Sequence, residues 1–369
     1  MLKGLSIIAL GKDYELISIL SYTNLQWNRK YYEPGTFSIE IPLEQYSSEY
    51  KYIYTNDRPE MGVITQINYI AKADYKSVNL SGYFLENQLN RHPVFVLGRG
   101  NITNAPSWTH QSGNAEDVAF AYFNAFNDIM FDYGEESFKS SLGITAGENK
   151  HRGHVSDHER DGSDLGTKIY TILKPSEMSY RVAYDFVTSE KVFTIWSGLD
   201  RTQENHGDNN PVVFSTKYGN IKNPNILIDE SSYRNGYIVV NSYNDNNNEI
   251  VNVQARIEER LEPNNVSDDL LYINSGVNRS DYGSEADYIN AMHISAHEEL
   301  LKYVSTINVE FDALEGSYDY IDDFDLGDKC SIEIPEIGLS ADAVLIGCYE
   351  VVKGGVNTLT MEFGTPILK

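Results

Sequence analysis

Cysteine is scarce in this chain of 369 residues, which carries only Cys330 and Cys348. Two thiols close together near the C-terminus exclude a disulfide-built scaffold. They could face each other across a hairpin, and the reading adopted is two reduced, partly buried thiols. Basic charge is also in short supply: 29 Lys and Arg stand against 54 Asp and Glu, a formal net charge of −25. That excludes an electrostatic nucleic-acid binder, which needs a basic face to displace counterions from phosphates. It equally excludes docking on an anionic membrane surface. Long apolar runs are missing, and no window approaches the roughly 20 residues that span a bilayer. The apolar stretch at the N-terminus is broken by Lys12, Asp13 and Glu15, so no signal peptide is read and a cytoplasmic folding compartment follows. Catalytic fingerprints are absent too. There is no Gly-x-Ser-x-Gly elbow, phosphate loop or dinucleotide motif, Gly98-Arg99-Gly100 is too short to count, and neither cysteine neighbours a histidine in a thiol-catalysis pattern.

What is present is a globular composition, with 41% hydrophobic and 12% aromatic residues. That is apolar material for real cores, over a length that suggests two or three domains. Tyrosine is the oddity, at 27 residues against 14 Phe and 3 Trp; it suits half-buried strands and protein interfaces, where one end of the ring is dry and the other wet. The first ninety residues alternate with period 2. Phe37–Pro42, Gly62–Ile67 and Ser77–Phe84 each read as a strand with one polar face. Turn signals at Glu33-Pro34-Gly35 and Asn56–Pro59 separate them. The prediction is a small antiparallel β domain.

Near residue 98 the pattern changes. Asn114 is placed as an N-cap with Asp117 in the first turn, and Val118, Tyr122, Phe126, Ile129 and Met130 follow at helical spacing. Residues 143–162 are polar and read as a loop. Ser163 is placed as the cap of a second helix through Ile169, Ile172 and Leu173, stopped by Pro175. Ser179–Trp196 reads as a β-hairpin turning near Thr188-Ser189-Glu190. Strands resume at Val212–Phe214, then at Tyr237–Val240 and Ile250–Val253 around the turn-prone Asn244–Asn248. Ser284 with Asp287 resembles a capping box, opening a helix lined by Ile289, Ala296, Leu300 and Val304. Four strands close the chain, at Ile307–Phe311, Lys329–Ile334, Ala343–Val351 and Thr358–Phe363.

The ends echo each other. Ser38-Ile39-Glu40-Ile41-Pro42 recurs as Ser331-Ile332-Glu333-Ile334-Pro335. A Gly-bearing apolar strand follows each (Gly62-Val63-Ile64; Leu345-Ile346-Gly347), then a strand opening Val-Asn (Val78-Asn79; Val356-Asn357). Spacing between the blocks differs, so duplication of a β-barrel and coincidence both stay open. If duplicated, a trimer presents six similar domains around one axis and matches a threefold object to a sixfold tube.

His151, His154 and His158, with Asp157, have imidazole spacing that can hold Zn²⁺. The segment lacks signs of a rigid second shell, and a solvated loop is the preferred reading. His293 and His297 lie four apart on the late helix before Glu298 and Glu299, but Ile294 stands where the metalloprotease motif needs Glu. A polar helix flank is preferred. With 54 carboxylates, acid pairs arise by chance, and none is singled out as a glycosidase pair. Glu33 and Asp57 adjoin turns and are read as turn or rim residues. No catalytic, cofactor-binding or metal residue is assigned.

Leu25-Gln26-Trp27-Asn28-Arg29-Lys30-Tyr31-Tyr32-Glu33-Pro34-Gly35-Thr36-Phe37 resembles the Trp-x-Arg-x-Tyr-Tyr-Glu-Pro-Gly-x-Phe signature of siphophage tail hub proteins. Arg58–Ile64, with Glu60 and Gly62-Val63-Ile64, resembles the next block. Gly198-Leu199-Asp200-Arg201-Thr202 and Pro211–Ser215 resemble the block that closes the inserted domain. Departures are Lys30, where a second Arg is frequent, and the histidine-rich loop. The resemblance implies a fold similar to the baseplate hub of contractile-tailed phages: mainly β, α+β, with two small barrel-like antiparallel domains and an inserted α+β domain. The expected domains are residues 1–95 with 208–260, the insertion 96–207, and 261–369. It implies a non-enzymatic homotrimer at the virion tail tip, assembled in the host cytoplasm. The trimer joins the tail tube or distal tail protein to tip or receptor-binding proteins and passes DNA through a central channel without specific binding, and no cofactor is expected. The acidic balance suits such a conduit, since like charge does not hold the genome. The chain ends at Lys369 after its last strand, so no lytic extension is expected. The rival readings are a carbohydrate-binding or glycoside-hydrolysing tip module, and the hub of a contractile injection or bacteriocin particle.

Overall fold

Period-2 alternation at the N-terminus folds into strands whose apolar positions share one face. The computed structural model describes residues 5–72, 75–96, 102–205, 207, 209–244, 249–257, 269–300, 302–303, 306–314 and 317–368. Gly98-Arg99-Gly100 lies outside them. The first strands are β1 (Ile7–Leu10), β2 (Leu16–Leu20), β3 (Asn24–Lys30), β4 (Thr36–Pro42), β5 (Tyr52–Tyr54), β6 (Gly62–Lys72) and β7 (Tyr75–Phe84). On β4, Phe37, Ile39 and Ile41 point inward. On β3 the inward positions are Leu25, Trp27 and, in the same parity, Arg29. β6 and β7 form a long hairpin with a bulge between Ile64 and Gln66.

The insertion begins with β8 (His110–Asn114), α1 (Ala115–Phe126), β9 (Asp128–Asp132), β10 (Ser137–Ser141), β11 (Ile144–Ala146) and β12 (Val155–Glu159). It continues with α2 (Leu165–Leu173), β13 (Ser179–Asp185) and β14 (Glu190–Trp196). Phe120, Phe123 and Phe126 of α1 share a core with Ile169, Ile172 and Leu173 of α2 and with Phe193 of β14. Four expectations change here. Ile129 and Met130 leave the helix for β9, whose alternation pairs with β10; their spacing from Phe126 fits either period. The expected loop 143–162 contains two strands, β11 parallel to β14 and β12 antiparallel to β8. β12 has no buried residue, so backbone pairing holds it and no apolar stripe announces it. The second helix takes Asp164 rather than Ser163 as its N-cap residue, because the Ser163 hydroxyl donates to Asp161 (2.6 Å). Asn114 does precede α1, but its amide donates to the His151 carbonyl (3.0 Å) instead of capping. The 179–196 hairpin forms as predicted, with Ser189 in the turn at φ 58°.

Next come β15 (Asp200–Arg201), β16 (Val213–Ser215), β17 (Ile221–Asp229), β18 (Gly236–Asn244), β19 (Ile250–Ile257), β20 (Leu270–Asn274) and α3 (Glu285–Leu300). β18 to α3 belong to a separate compact unit, residues 226–308. In it, β18 pairs antiparallel with β19 and parallel with β20. The turn-prone residues 245–248 lie outside the described residues. Ser284 caps α3 as predicted, accepting from the Asp287 N–H (3.1 Å) and donating to its carboxylate (2.7 Å). The buried face of α3 runs through Tyr288, Met292, Ala296 and Leu300 against Tyr237 and Val239. Ile289 sits at its margin, and Val304 is outside the described residues. This packing joins strands expected with the first barrel to a helix expected with the second, because neither buries its apolar face alone.

The other unit comprises residues 1–225 and 309–369. Its last strands are β21 (Thr306–Ala313), β22 (Lys329–Ile334), β23 (Leu339–Lys353), β24 (Val356–Phe363) and β25 (Ile367–Leu368). They enter one sheet with the N-terminal strands, in the order β17-β21-β24-β23-β3-β4-β7-β6-β5-β1-β2. The seam is antiparallel pairing of β23 with β3, from Gly347 opposite Lys30 to Lys353 opposite Asn24. The two echo blocks share several features. Ile39 and Ile41, and Ile332 and Ile334, are buried. A 3₁₀ turn follows each block, at Leu43–Gln45 and Pro335–Ile337. A bulged hairpin follows each turn, β6–β7 and β23–β24. Their neighbours differ. β4 lies between β3 and β7, whereas β22 pairs with β23 and, in parallel, with β15 and β16. Among the described residues no helix is long and apolar enough to cross a membrane.

Candidate functional site

The inward parity of β3 carries a charge into the core. Arg29 is 0% exposed, and its guanidinium donates Nε to Glu60 (2.9 Å) and Nη1 to Asp325 (2.5 Å) and the Tyr320 hydroxyl (2.7 Å). Burial alone would lower the Arg29 pKa, but Glu60, Tyr320 and Asp325 outweigh it and hold the group well above its ordinary value. A second pair lies alongside. Arg58 donates Nε and Nη2 to the two Glu350 oxygens (2.8 and 2.6 Å), the bidentate fork that suits a carboxylate. The Arg58 guanidinium also sits 4.9 Å from the Tyr320 ring centre. Burial drives the Tyr320 hydroxyl strongly upward, so it stays neutral and serves as a hydrogen-bond partner.

The next signature residues extend this centre. Tyr31 is fully buried and donates its hydroxyl to the Glu177 carbonyl (2.8 Å). Its ring meets Trp196 edge to face at 4.8 Å. Beneath them the backbones of two glycines touch: a Cβ on Gly198 would fall 2.1 Å from the Gly327 carbonyl. Gly327 adopts φ +88°, and a Cβ there would meet the Tyr31 ring at 2.6 Å, so only glycine fits. Asp328 ties the same strands, accepting from the Leu199 N–H (2.7 Å) and from Arg201 Nε (2.8 Å). Glu86, 5% exposed, completes the polar interior. Burial pushes its carboxyl up to about 8.

The sequence blocks at 25–37, 58–64 and 198–202 therefore converge, and the block at 211–215 is tied to them by the Val212 N–H donating to the Arg201 carbonyl (2.8 Å). Their partners, Tyr320, Asp325, Gly327, Asp328 and Glu350, were missed. The signals available were Arg29 in the apolar parity of β3 and the dense Asp of 319–328 beside Gly327. What this arrangement does chemically is hold strands together. Its charges are paired and its hydroxyls buried. The thiols of Cys330 and Cys348 are free, fully buried, and raised by that burial; they do not face each other, since Cys330 opposes Ala343 and Cys348 opposes Arg29.

The remaining candidates do not assemble. His151 Nδ1 lies 2.6 Å from Asp117. The His154 N–H donates to the Ser176 hydroxyl (2.9 Å). His158 sits on β12, its carbonyl accepting from Tyr122 (2.8 Å) and its ring lowered by burial and by Lys168. His293 Nδ1 is 3.3 Å from the Tyr237 hydroxyl. Among the described residues no group of three or more His, Cys, Asp or Glu is placed to hold a metal. Glu33 pairs with Lys30 (2.5 Å) beside its turn, and Asp57 bonds Thr55 within another.

No curated protein matches this chain in sequence. Among solved structures, the tail protein of Neisseria meningitidis MC58 is 11% identical with a TM-score of 0.55, over 99% of this chain and 97% of that one. The 43 kDa tail protein of prophage MuSo2 from Shewanella oneidensis is 8% identical with a TM-score of 0.57, over 98% of each chain. Prophage tail protein gp18 of Listeria monocytogenes EGD-e aligns at 12% identity and 0.47, over 97% and 94%. The first two establish a fold shared with phage tail proteins. The family model of the Siphovirus ReqiPepy6 Gp37-like proteins matches residues 10–365, and the chain belongs to that family.

Proposed function

We propose that the protein is a structural component of the virion tail: a trimeric hub, without enzymatic activity, that joins the tail tube to the tip and surrounds a channel for DNA. The observation that carries this reading is the seam between β3 and β23, which joins two bulged hairpin modules of one chain in a single sheet. Three such chains supply six modules, the number needed to meet a sixfold tube. In this reading residues 5–84 and 306–368 build the two tube modules, and 102–205 is an insertion between them. Family membership and the tail-protein fold support the assignment. Light scattering coupled to size exclusion tests it, with an image of the particle. The expected mass is about 125 kDa, three chains of 41.7 kDa, in a ring. A chain that stays at 41.7 kDa across concentration, alone and with the tail tube protein, overturns it.

A further inference from the structure

The unit of residues 226–308 carries a groove that the signature blocks do not touch. β20 stops pairing with β18 at Asn274 opposite Val240, and beyond that point β18 keeps only β19 as a partner. The chain leaving β20 folds back through residues 275–282, pinned by the Asn241 amide to the Ser275 hydroxyl (3.1 Å) and the Val277 carbonyl (2.5 Å). Between the freed edge of β18 and this loop lies a groove of about 820 Å³, within the size range of small-molecule sites.

Its lining is chemically one-sided. Asn244 and Asn278 bring amides, and Ser242 and Ser280 bring hydroxyls, while the Asn241 amide is spent on the loop and on the Ser242 N–H. The chain has 54 carboxylates, and among the described residues none lines the groove. Tyr243 supplies an aromatic wall whose ring is set edge to face on buried Tyr288 at 5.6 Å, so its position is fixed by the core behind it. Arg279 is committed to the structure: its Nη1 donates to the Tyr282 carbonyl (2.5 Å), and it lies 5.8 Å from the Tyr243 ring.

We infer that this groove binds a neutral oligosaccharide. Amides and hydroxyls donate and accept at once, which matches the vicinal hydroxyls of a sugar. A fixed Tyr ring takes the apolar C–H face of a pyranose. One engaged Arg is too little for a polyphosphate, and Val277 is the one aliphatic side chain in a lining otherwise of amides, hydroxyls, Arg279 and two Tyr rings, which is too little for a lipid or an aliphatic peptide side chain. Glycoside hydrolysis needs two flanking carboxylates, and among the described residues none lines the groove, so binding alone is inferred. The inference does not rest on the hub reading: a trimer that ignores sugars keeps the hub and loses the groove.

Saturation-transfer NMR on the full chain with maltotriose, cellotriose, N,N′,N″-triacetylchitotriose and inorganic phosphate is the test. At least one sugar is expected to bind saturably in the millimolar range, and N244A/N278A, altering two exposed side chains, to weaken it about tenfold. Unchanged circular dichroism and thermal unfolding of that variant show that the loss is local. Three results overturn the inference: no saturable sugar, sugar binding unaffected by the double substitution, or phosphate bound in preference to every sugar.

Discussion

Replacing Glu86 by Gln should change how stability depends on pH. Glu86 lies in the 3₁₀ turn Leu85–Arg91, 5% exposed. Burial is the largest influence on its carboxyl and raises it from 4.5 to about 8; a bond from its own backbone N–H opposes this, the Glu60 carboxylate adds to it, and Arg181 opposes it. Between those two values the native chain holds a proton that the unfolded chain has released. Stability therefore falls as pH rises through the window, since the unfolded state binds fewer protons there. The slope approaches 1.4 kcal/mol per pH unit, about 4–5 kcal/mol across the window. Below 4.5 and above about 8 this group contributes no slope. Glutamine keeps the shape without the titration. Glu86→Gln should sit within about 1 kcal/mol of the parent at pH 5, where both side chains are neutral, and exceed it by several kcal/mol at pH 8. Urea unfolding followed by tryptophan fluorescence is the assay, because Trp27, Trp108 and Trp196 all lie in the unit of residues 1–225 and 309–369 and report on it alone. Parallel stability curves for the two proteins between pH 5 and 8 would refute the reasoning.

Arg29→Met strands Glu60 and Asp325 and should cost about 3–5 kcal/mol, with Arg29→Met/Glu60→Gln recovering part of it; urea unfolding of the four-member cycle measures the coupling, and a single substitution costing under about 1 kcal/mol contradicts the buried network. Gly327→Ala drives a methyl group into Tyr31 at φ +88° and should destabilise by about 2–4 kcal/mol, read as a lowered urea midpoint with unchanged slope. Cys330 and Cys348 should resist Ellman's reagent at pH 8 in the native protein and titrate as two thiols in denaturant, since burial holds both thiols protonated; fast native labelling contradicts their placement.

Elements that bury one face were legible in the sequence. Ile39 and Ile41 are inward as the alternation of β4 requires, and the hairpin 179–196 follows from two alternating runs around Thr188-Ser189-Glu190. Ser284 and Asp287 cap α3 because a capping box is a local interaction. Elements held by backbone pairing without burial were not legible. β12 reads Val155–Glu159 with every side chain at least partly exposed, so nothing distinguishes it from a loop. The edge of a helix against a following strand was equally hidden, since Ile129 and Met130 satisfy both periods. The junction was half legible. Trp27 and Phe37 announce a core, but two of the Arg29 partners, Tyr320 and Asp325, lie 291 and 296 residues away, and no local pattern ties Asp325 to β3.

That geometry also bears on what the signature blocks mean. A family signature is readily taken for a working surface, yet Trp27, Arg29, Tyr31 and Phe37 are 0–2% exposed and pack inside the chain. Their chemistry is mutual neutralisation and close packing in a place where an unpaired charge is costly. Such residues specify a seam between strands, and holding a fold together does not by itself say what that fold binds. Determinants of contact must then lie on surfaces the blocks leave out: the exposed Ile67 and Tyr69 of β6, whose pairing with β5 ends at Val63, or the groove beside Tyr243. Substitutions there should alter assembly or binding at nearly constant stability, and substitutions in the blocks should do the reverse. A variant panel scored on both axes, urea midpoint and trimer or sugar affinity, separates the two classes; block substitutions that leave stability untouched while abolishing assembly would show that the seam is itself the interface.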